Sequence, residues 1–198
     1  TPDEMGARAA ELSAAPLLKI KINAEDIEKR LDAVRAGAPN ARIIVDPNEG
    51  WDVALLSEKV RYLAEIGVEM LEQPVPVGQD GGLAALDSPV PICADESVHT
   101  ADGLEDLVKR YDMVNIKLDK TGGLTEALKL RARAEALGFE IMVGCMVGSS
   151  LAMAPAVLVA QGAKIVDLDG PLLLKEDRTP GLNFTDGRIH PADPELWG

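Results

Sequence analysis

The sequence is poor in aromatic residues, histidine and cysteine. Aromatic side chains make up 3% of its 198 residues, and it has two histidines and two cysteines. Cys93 and Cys145 each lie inside an apolar segment, which is typical of reduced core thiols rather than of a secreted disulfide framework. We therefore expect a cytoplasmic protein. His99 lies in a predicted loop and His190 in the C-terminal tail, so we expect both to be structural or solvated.

Basic residues and long apolar runs are also scarce. The chain has 33 acidic and 20 basic residues, which gives a formal net charge of -13. Such a charge repels nucleic acid phosphates and anionic lipid headgroups. The longest apolar run, residues 151–160, is too short to span a bilayer, and residues 1–5 have neither the basic nor the apolar region of a signal peptide. We therefore expect no nucleic acid or membrane partner.

What the sequence does have is a regular alternation of short aliphatic segments with longer stretches of helical period. This pattern predicts repeated βα units, and 46% hydrophobic residues suffice for the core of one domain. Thr100 is a possible helix N-cap, while Gly67 and Gly138 lie where helices should end. The seven predicted strands are residues 17–22, 41–46, 68–72, 91–97, 113–118, 140–145 and 164–169.

Polar residues recur at the ends of these strands at nearly constant steps of 22 to 26 residues, with one longer step of 50. The residues are Lys21, Asp46, Glu72, Asp95, Lys117 and Asp167. Each short step fits one βα unit of a TIM-type (β/α) barrel, in which catalytic groups gather at the carboxyl ends of the strands. A doubly wound open sheet is the alternative, but it would spread these ends along a line.

We therefore predict an α/β barrel domain that extends over residues 1–198, with a tail at 175–198 that contains a hairpin around Asp186 and Gly187. Seven strands are one short of closure. We expect the first strand to lie upstream of Thr1, so that the sequence is a fragment or a separated domain.

Lysines are predicted to face the barrel interior from two strands. Lys19 and Lys21 alternate with isoleucines, so both ammonium groups share one strand face, where mutual repulsion lowers a lysine pKa toward that of a general base. Asn115, Lys117 and Asp119 repeat the alternation four strands later. The alternatives are surface lysines on an edge strand and a solvated Lys-x-Asp pattern, but both faces of parallel barrel strands are covered.

Acidic residues fall into two groups. Asp46, Glu72 and Asp95 end three consecutive strands and offer the oxygen ligands of Mg²⁺, whereas Zn²⁺ would favour histidine or cysteine. For any one of them the alternative is a role in loop capping. Asp167 and Asp169 alternate along the last strand and are predicted to point inward. A buried pair needs a cation, which we expect to be a substrate ammonium group or, alternatively, a barrel lysine.

Residues 144–150 lead from a predicted strand into an apolar helix. Its serines are expected to be N-caps, although the free N–H groups of a helix start also suit an anion. A methionine such as Met146 is more often a core residue than a contact. Within this segment Met146, Gly148 and Ser149 are the residues that we expect at the substrate.

These motifs, in this order, resemble the enolase superfamily and its muconate-lactonising subgroup, and the resemblance runs across nearly the whole chain. The matching motifs are Lys19-x-Lys21, Asp46-x-Asn48, Glu72-Gln73-Pro74, Asp95-Glu96-Ser97 and Lys117-x-Asp119. In addition, residues 167–171, Asp-Leu-Asp-Gly-Pro, are similar to the element with which dipeptide epimerases bind the α-ammonium group of the substrate.

The resemblance implies a role for each residue. One Mg²⁺ is held by Asp46, Glu72 and Asp95. Lys21 and Lys117 are the acid/base pair, and Lys19 is an electrostatic helper that also faces the substrate. Asn48 and Asp119 support this inner set. Members of the family also carry an N-terminal α+β capping domain, which we do not expect within these 198 residues, and we expect a homo-oligomer.

The expected activity is Mg²⁺-dependent epimerisation of dipeptides of the Ala-Glu type through an enediolate. An N-acylamino acid racemase or an o-succinylbenzoate synthase is the alternative enzyme, because it shares the metal and the lysines but has no need of Asp167 and Asp169. A catalytically silent barrel fragment without its lid is the alternative from another class.

Overall fold

A computed structural model describes residues 1–197, which form two compact units. The first unit consists of residues 1–97 and 109–111, and the second of residues 98–108 and the chain from residue 112 onward. Within the described residues, no helix combines the length and the hydrophobicity needed to cross a membrane.

The first unit contains four strands that pair in chain order, all parallel. Its elements are α1 (Pro2–Glu11), β1 (Leu17–Lys21), α2 (Ile27–Gly37), β2 (Arg42–Asp46), α3 (Val53–Glu65), β3 (Val68–Glu72), a 3-10 helix (Asp80–Ala85) and β4 (Ile92–Ala94). In the pairing of β1 with β2, Lys21 lies opposite Asp46. Aliphatic residues of β2 and β3, such as Ile44 and Met70, are fully buried, as expected where both faces of a parallel strand are covered.

The second unit contains three further parallel strands, which also pair in chain order. Its elements are a 3-10 helix (Leu104–Leu107), β5 (Met113–Ile116), α4 (Leu118–Thr121), α5 (Leu124–Ala136), β6 (Glu140–Val143), α6 (Ser150–Val159), β7 (Ile165–Val166), a 3-10 helix (Gly170–Leu173) and the strands β8 (Phe184–Thr185) and β9 (Arg188–Ile189). Met113, Leu130 and Met142 are among its fully buried residues.

All seven predicted strands are present, and so are the predicted turns and helix ends. Gly67 and Gly138 follow the last residues of α3 and α5 with φ of +76° and +89°, which is the left-handed conformation of a C′ glycine. Asp186 and Gly187 join β8 to the antiparallel β9 with φ of +51° and +69°, as a tight hairpin turn requires.

Three predictions about local structure are wrong, two of them because a strand ends earlier than the alternation of residue types suggests. Strand β5 ends at Ile116, so Asp119 lies in the short helix α4 and not on a strand. Strand β7 ends at Val166, so Asp169 precedes a 3-10 helix instead of alternating with Asp167 along a strand. Thr100 is not an N-cap, since the 3-10 helix starts after Gly103.

Helices α1 and α2 approach each other closely at two glycines. A Cβ atom on Gly37 would lie 2.3 Å from the carbonyl oxygen of Gly6, a separation that only a backbone shift can relieve. Since Gly37 ends α2, this contact fixes the distance between the two helices.

We predict that Gly37→Ala lowers the free energy of unfolding by about 1–3 kcal/mol, the usual cost of overpacking. Gly81→Ala is the matched control, because a Cβ atom there has no other atom within 4 Å, and it should change stability by less than about 0.5 kcal/mol. Equilibrium unfolding in urea measures both. Equal stability of the two variants would contradict the close approach of α1 and α2.

Candidate active site

The two lysines of β1 meet the same carboxylate. The Nζ atoms of Lys19 and Lys21 lie 3.1 and 2.9 Å from Oδ2 of Asp46. Ile20 and Ile22 are buried on the other face. The predicted sorting of lysines and isoleucines to opposite faces of this strand is therefore confirmed.

Lys19 also bridges to a second buried carboxylate. Its Nζ atom lies 2.7 Å from Oε2 of Glu72, whose side chain is fully buried, while Asp46 is 1% exposed. A carboxylate removed from water is costly unless it is paired with a cation. The ammonium group of Lys19 supplies that charge to both acids.

Glu72 reveals how closely the acidic residues are grouped. Its pKa is raised to about 7, first by burial and then by the charges of Asp46 and Asp95, while Lys19 acts in the opposite direction. Asp95 is 1% exposed and follows β4 directly, as Glu72 ends β3 and Asp46 ends β2. The ends of three neighbouring parallel strands thus bring these three carboxylates together.

The ligand types in this cluster, but not their present geometry, are those of a hard divalent cation. Three carboxylates face two ammonium groups, so the group keeps a negative charge that a cation would relieve. Carboxylate oxygens without histidine or cysteine are typical ligands of Mg²⁺. In residues 1–197, no three acidic, histidine or cysteine side chains stand in metal-ligand geometry, and the ammonium group of Lys19 lies between two of the predicted ligands.

Asn48 connects the lysine and carboxylate of this cluster. Its backbone N–H donates to Oδ1 of Asp46 over 2.9 Å, and its side-chain oxygen accepts a hydrogen bond from Lys21. The residue has a positive φ of 45°, which asparagine tolerates better than most residues. The turn after β2 thereby orients both Asp46 and Lys21.

In the second unit, Lys117 follows β5 on extended backbone and is 8% exposed. It is therefore buried, as the sequence predicted for an inward-facing lysine. Asn115, two residues before it, is fully buried. Asp119 is exposed in the first turn of α4.

The charges of three acidic residues of the second unit act on the thiol of Cys145. The pKa of this thiol is raised to about 11, first by burial and further by the charges of Asp167, Asp169 and Asp119, while an N–H bond from Gly170 opposes the shift. Cys145 is a free cysteine, as expected, but it is only partly buried. The prediction that both aspartates of the last strand are buried is wrong for Asp169, which is exposed.

The turn that carries Asp169 packs directly against the segment that follows β6. A Cβ atom on Gly170 would lie 2.8 Å from the carbonyl oxygen of Met146, 3.2 Å from Sγ of Cys145 and 3.3 Å from the backbone nitrogen of Gly148. Glycine is therefore required at 170. Met146 is 56% exposed, so the reading of this methionine as a core residue is wrong.

Helix α6 is capped by the tail rather than by its own serines. Ser149 occupies the N-cap position but makes no side-chain cap bond. Instead, the backbone N–H of Ser150 donates to Oδ1 of Asp177 over 3.0 Å, and the Ser150 hydroxyl accepts from the N–H of Leu182 over 2.8 Å. The sequence did not suggest these hydrogen bonds. They connect the start of α6, next to Gly148 and Ser149, to the tail.

The first unit also contains a buried polar network that the sequence did not indicate. Gln73, Asp80 and Tyr111 are nearly inaccessible to solvent, and the hydroxyl of Tyr111 hydrogen bonds to both Gln73 and Asp80. A usable signal existed for Gln73, which stands between Glu72 and Pro74 in the recognised motif. None existed for the tyrosine or for the aspartate.

Comparison with known proteins gives a consistent match. The family model described as "Enolase C-terminal domain-like" matches residues 4–195. An N-acetyl-D-glutamate racemase of Pseudoalteromonas is 48% identical over 100% of this chain and 63% of its own length. The L-Ala-D/L-Glu epimerase of Escherichia coli K12 is 47% identical over 96% of this chain and 60% of its own length.

A solved structure is similar over the whole chain. It is a crystal structure of an enolase family member from Agrobacterium tumefaciens with homology to dipeptide epimerases, which contains bound sodium and L-Ala-L-Glu. It has a TM-score of 0.97 and 59% identity, covering 100% of this chain and 60% of that one. The present chain therefore spans about 60% of the length of these relatives.

We predict that Cys145 reacts with iodoacetamide roughly 100-fold more slowly at pH 8 than an unperturbed cysteine, because the raised pKa leaves less of the thiolate. The rate should keep rising as the pH approaches 11. Mass spectrometry of peptides measures labelling, with Cys93 as the fully buried internal control and the unfolded protein as reference. A rate that reaches its plateau below pH 9 would contradict the raised pKa.

Proposed function

The chain belongs to the enolase C-terminal domain-like family, and from this we propose that the full protein epimerises dipeptides of the Ala-Glu type by moving one α-proton. The observation that carries the proposal is the shared contact of Lys19 and Lys21 with Asp46, beside the buried Glu72. It combines a candidate base with candidate metal ligands. The named activities of relatives at 47–48% identity support the same reaction class.

In this proposal Asp46, Glu72 and Asp95 hold one Mg²⁺. When bound, such an ion supplies the positive charge that an enediolate dianion needs, which is the known pattern of the enolase superfamily. The chemistry of three carboxylates supports Mg²⁺ over a softer metal. Lys19 would then neutralise part of the charge of the same carboxylates and of the substrate.

The proton transfer is assigned to two lysines. One of Lys21 and Lys117, in its neutral form, takes the α-proton from the carbon next to the substrate carboxylate and becomes an ammonium group. The other starts as an ammonium group and returns a proton to the opposite face of that carbon. The stereocentre inverts, the number of protons is conserved, and the lysines end with exchanged protonation states, so that the reverse reaction follows the same route.

We predict that Lys21→Ala and Lys117→Ala each lower epimerisation of L-Ala-L-Glu by at least about 1,000-fold, since a positioned acid or base contributes about 100- to 10,000-fold and each lysine is needed for inversion. Affinity for Mn²⁺, used as a probe of the metal site, should stay within a few-fold. Proton NMR of the substrate in D₂O follows the exchange, and the remaining lysine should still exchange the α-proton of one epimer.

Lys59→Ala is the matched control, because Lys59 pairs with Glu28 and Glu58 away from this cluster. It should retain wild-type turnover. Full turnover in the Lys21 or the Lys117 variant would refute the assignment of that lysine.

Racemisation of N-acetylglutamate is a second candidate, because the N-acetyl-D-glutamate racemase is as similar to this chain as the dipeptide epimerase is. The two substrates differ in one charged group, and variants of the site can test which substrate is used. A dipeptide carries an α-ammonium group, whereas an N-acetylated amino acid does not. We propose that Asp167 and Asp169 bind that ammonium group, with Met146, Gly148 and Ser149 as further substrate contacts.

We predict that Asp167→Asn and Asp169→Asn each lower kcat/KM for L-Ala-L-Glu by about 10- to 100-fold, as the loss of a charged hydrogen bond does. Asp87→Asn, at an exposed position of the first unit, serves as control. Activity toward N-acetyl-L-glutamate should not fall in either variant. If wild-type protein prefers N-acetyl-L-glutamate and both variants leave all rates unchanged, the racemase is the correct assignment.

The remaining length of the relatives suggests what the full protein contains. We propose an N-terminal capping domain that closes over the substrate, together with assembly into a homo-oligomer, as the family resemblance implies. Activity measurements therefore require the full-length protein.

A further inference from the structure

A single buried residue, Gln73, follows the end of one carboxylate-bearing strand and hydrogen bonds to the chain at the ends of the other two. It follows Glu72 directly. Its backbone carbonyl accepts the N–H of Glu49, three residues after Asp46, over 2.8 Å. Its side-chain Oε1 accepts the N–H of Asp95 over 2.8 Å. The backbone and the side chain of Gln73 thus join the ends of β2, β3 and β4.

The conformation of Gln73 is unusual for its residue type. Its φ is +34°, in a region that non-glycine residues rarely occupy. Such strain persists only where surrounding contacts compensate for it. Here the compensation includes a backbone bond from the Gln73 N–H to the carbonyl of Cys93 over 2.8 Å and a second N–H bond to Oε1, from Ser97 over 3.1 Å.

A second layer fixes which way the amide of Gln73 points. Its Nε2 atom lies 2.9 Å from the hydroxyl oxygens of both Ser97 and Tyr111 and the same distance from the carbonyl of Val75. These acceptors require the NH₂ group on this side, so that Oε1 faces Asp95.

Tyr111 is itself held by a buried acid. Its hydroxyl donates to Oδ2 of Asp80 over 2.7 Å, and Asp80, which is 2% exposed, pairs through Oδ1 with Arg110 at 2.7 Å. Burial, assisted by Asp80, raises the pKa of Tyr111, so its hydroxyl remains a donor. Its lone pairs are then available to the amide of Gln73.

We propose that Gln73, Tyr111 and Asp80 form a positioning network that sets the spacing of Asp46, Glu72 and Asp95 and thereby the affinity of the protein for a divalent cation. The inference rests on the metal site of the proposed function. None of the three is a catalytic residue: they act through the backbone that presents the carboxylates. Residues that orient metal ligands in this way typically change metal affinity by about 10- to 100-fold when they are replaced.

The test compares Tyr111→Phe with Tyr62→Phe in the full-length protein. Both changes remove one hydroxyl from a hydrogen-bonded tyrosine, but the hydroxyl of Tyr62 lies within hydrogen-bond distance of the Glu28 carbonyl and of Asp32 on α2, away from the carboxylates. Electron paramagnetic resonance of free Mn²⁺ measures the dissociation constant. The Mn²⁺ dissociation constant should rise about 10-fold in Tyr111→Phe and stay unchanged in Tyr62→Phe.

Gln73→Met is the second variant, because it keeps the length of the side chain and removes every hydrogen bond of the side-chain amide. Its Mn²⁺ dissociation constant should rise at least as much as that of Tyr111→Phe, and thermal unfolding reports whether each variant is folded. At saturating Mg²⁺, the kcat of Tyr111→Phe should recover to near the wild-type value, because excess metal compensates for lower affinity but cannot replace a lost acid or base.

Two results would overturn the network. One is a folded Tyr111→Phe protein whose Mn²⁺ affinity equals that of wild type, which would reduce the network to a purely structural role while leaving the proposed function intact. The other is a kcat that stays low at saturating metal, which would mean that the tyrosine acts on the chemistry itself. Wild-type protein that binds no Mn²⁺ would contradict the metal site of the proposed function, and this inference with it.

Discussion

Two carboxylates, Asp46 and Glu72, are removed from water at the ends of neighbouring strands. The surrounding part of the first unit must supply positive charge and hydrogen bonds to them. An ionised carboxylate buried without a partner is too costly for a protein to keep charged. The ammonium group of Lys19 lies 3.1 and 2.7 Å from them, while burial and then the charges of Asp46 and Asp95 raise the pKa of Glu72 to about 7. A group with this character suits a cation better than it suits a stable core.

Such a cluster can function only if surrounding residues fix the positions of its side chains. The parallel pairing of β1 with β2 brings Lys21 opposite Asp46, but pairing alone leaves the side chains and the loop ends free to move. The buried bonds of Gln73 supply the missing constraint, and a strained backbone at that residue is the visible cost. Rigid support of this kind is what preorganised sites in general require.

The second unit presents its site residues in a different way. Asp169, Asp119 and Met146 are exposed, and the turn at Gly170 presses against the backbone after β6. Asp46, Glu72 and Asp95 of the first unit are buried, whereas Asp119 and Asp169 of the second are accessible to solvent.

Sequence alone was sufficient for the fold class and for the family. A two-residue period assigned the faces of β1, left-handed glycines marked the helix ends, and the strand-end motifs carried the resemblance that the family match confirmed. These features are local, or they recur at a fixed step, so they can be read along the chain.

Tertiary structure alone decided where the strands ended and what supports the site. Asp119 and Asp169 continue an alternating pattern, yet they lie beyond the last residues of β5 and β7, because a strand lasts only as long as its neighbour offers hydrogen bonds. Gln73 and Tyr111 are 38 residues apart in the chain and still share a hydrogen bond. No local pattern encodes such a pair, since its partners become neighbours only when the chain has folded.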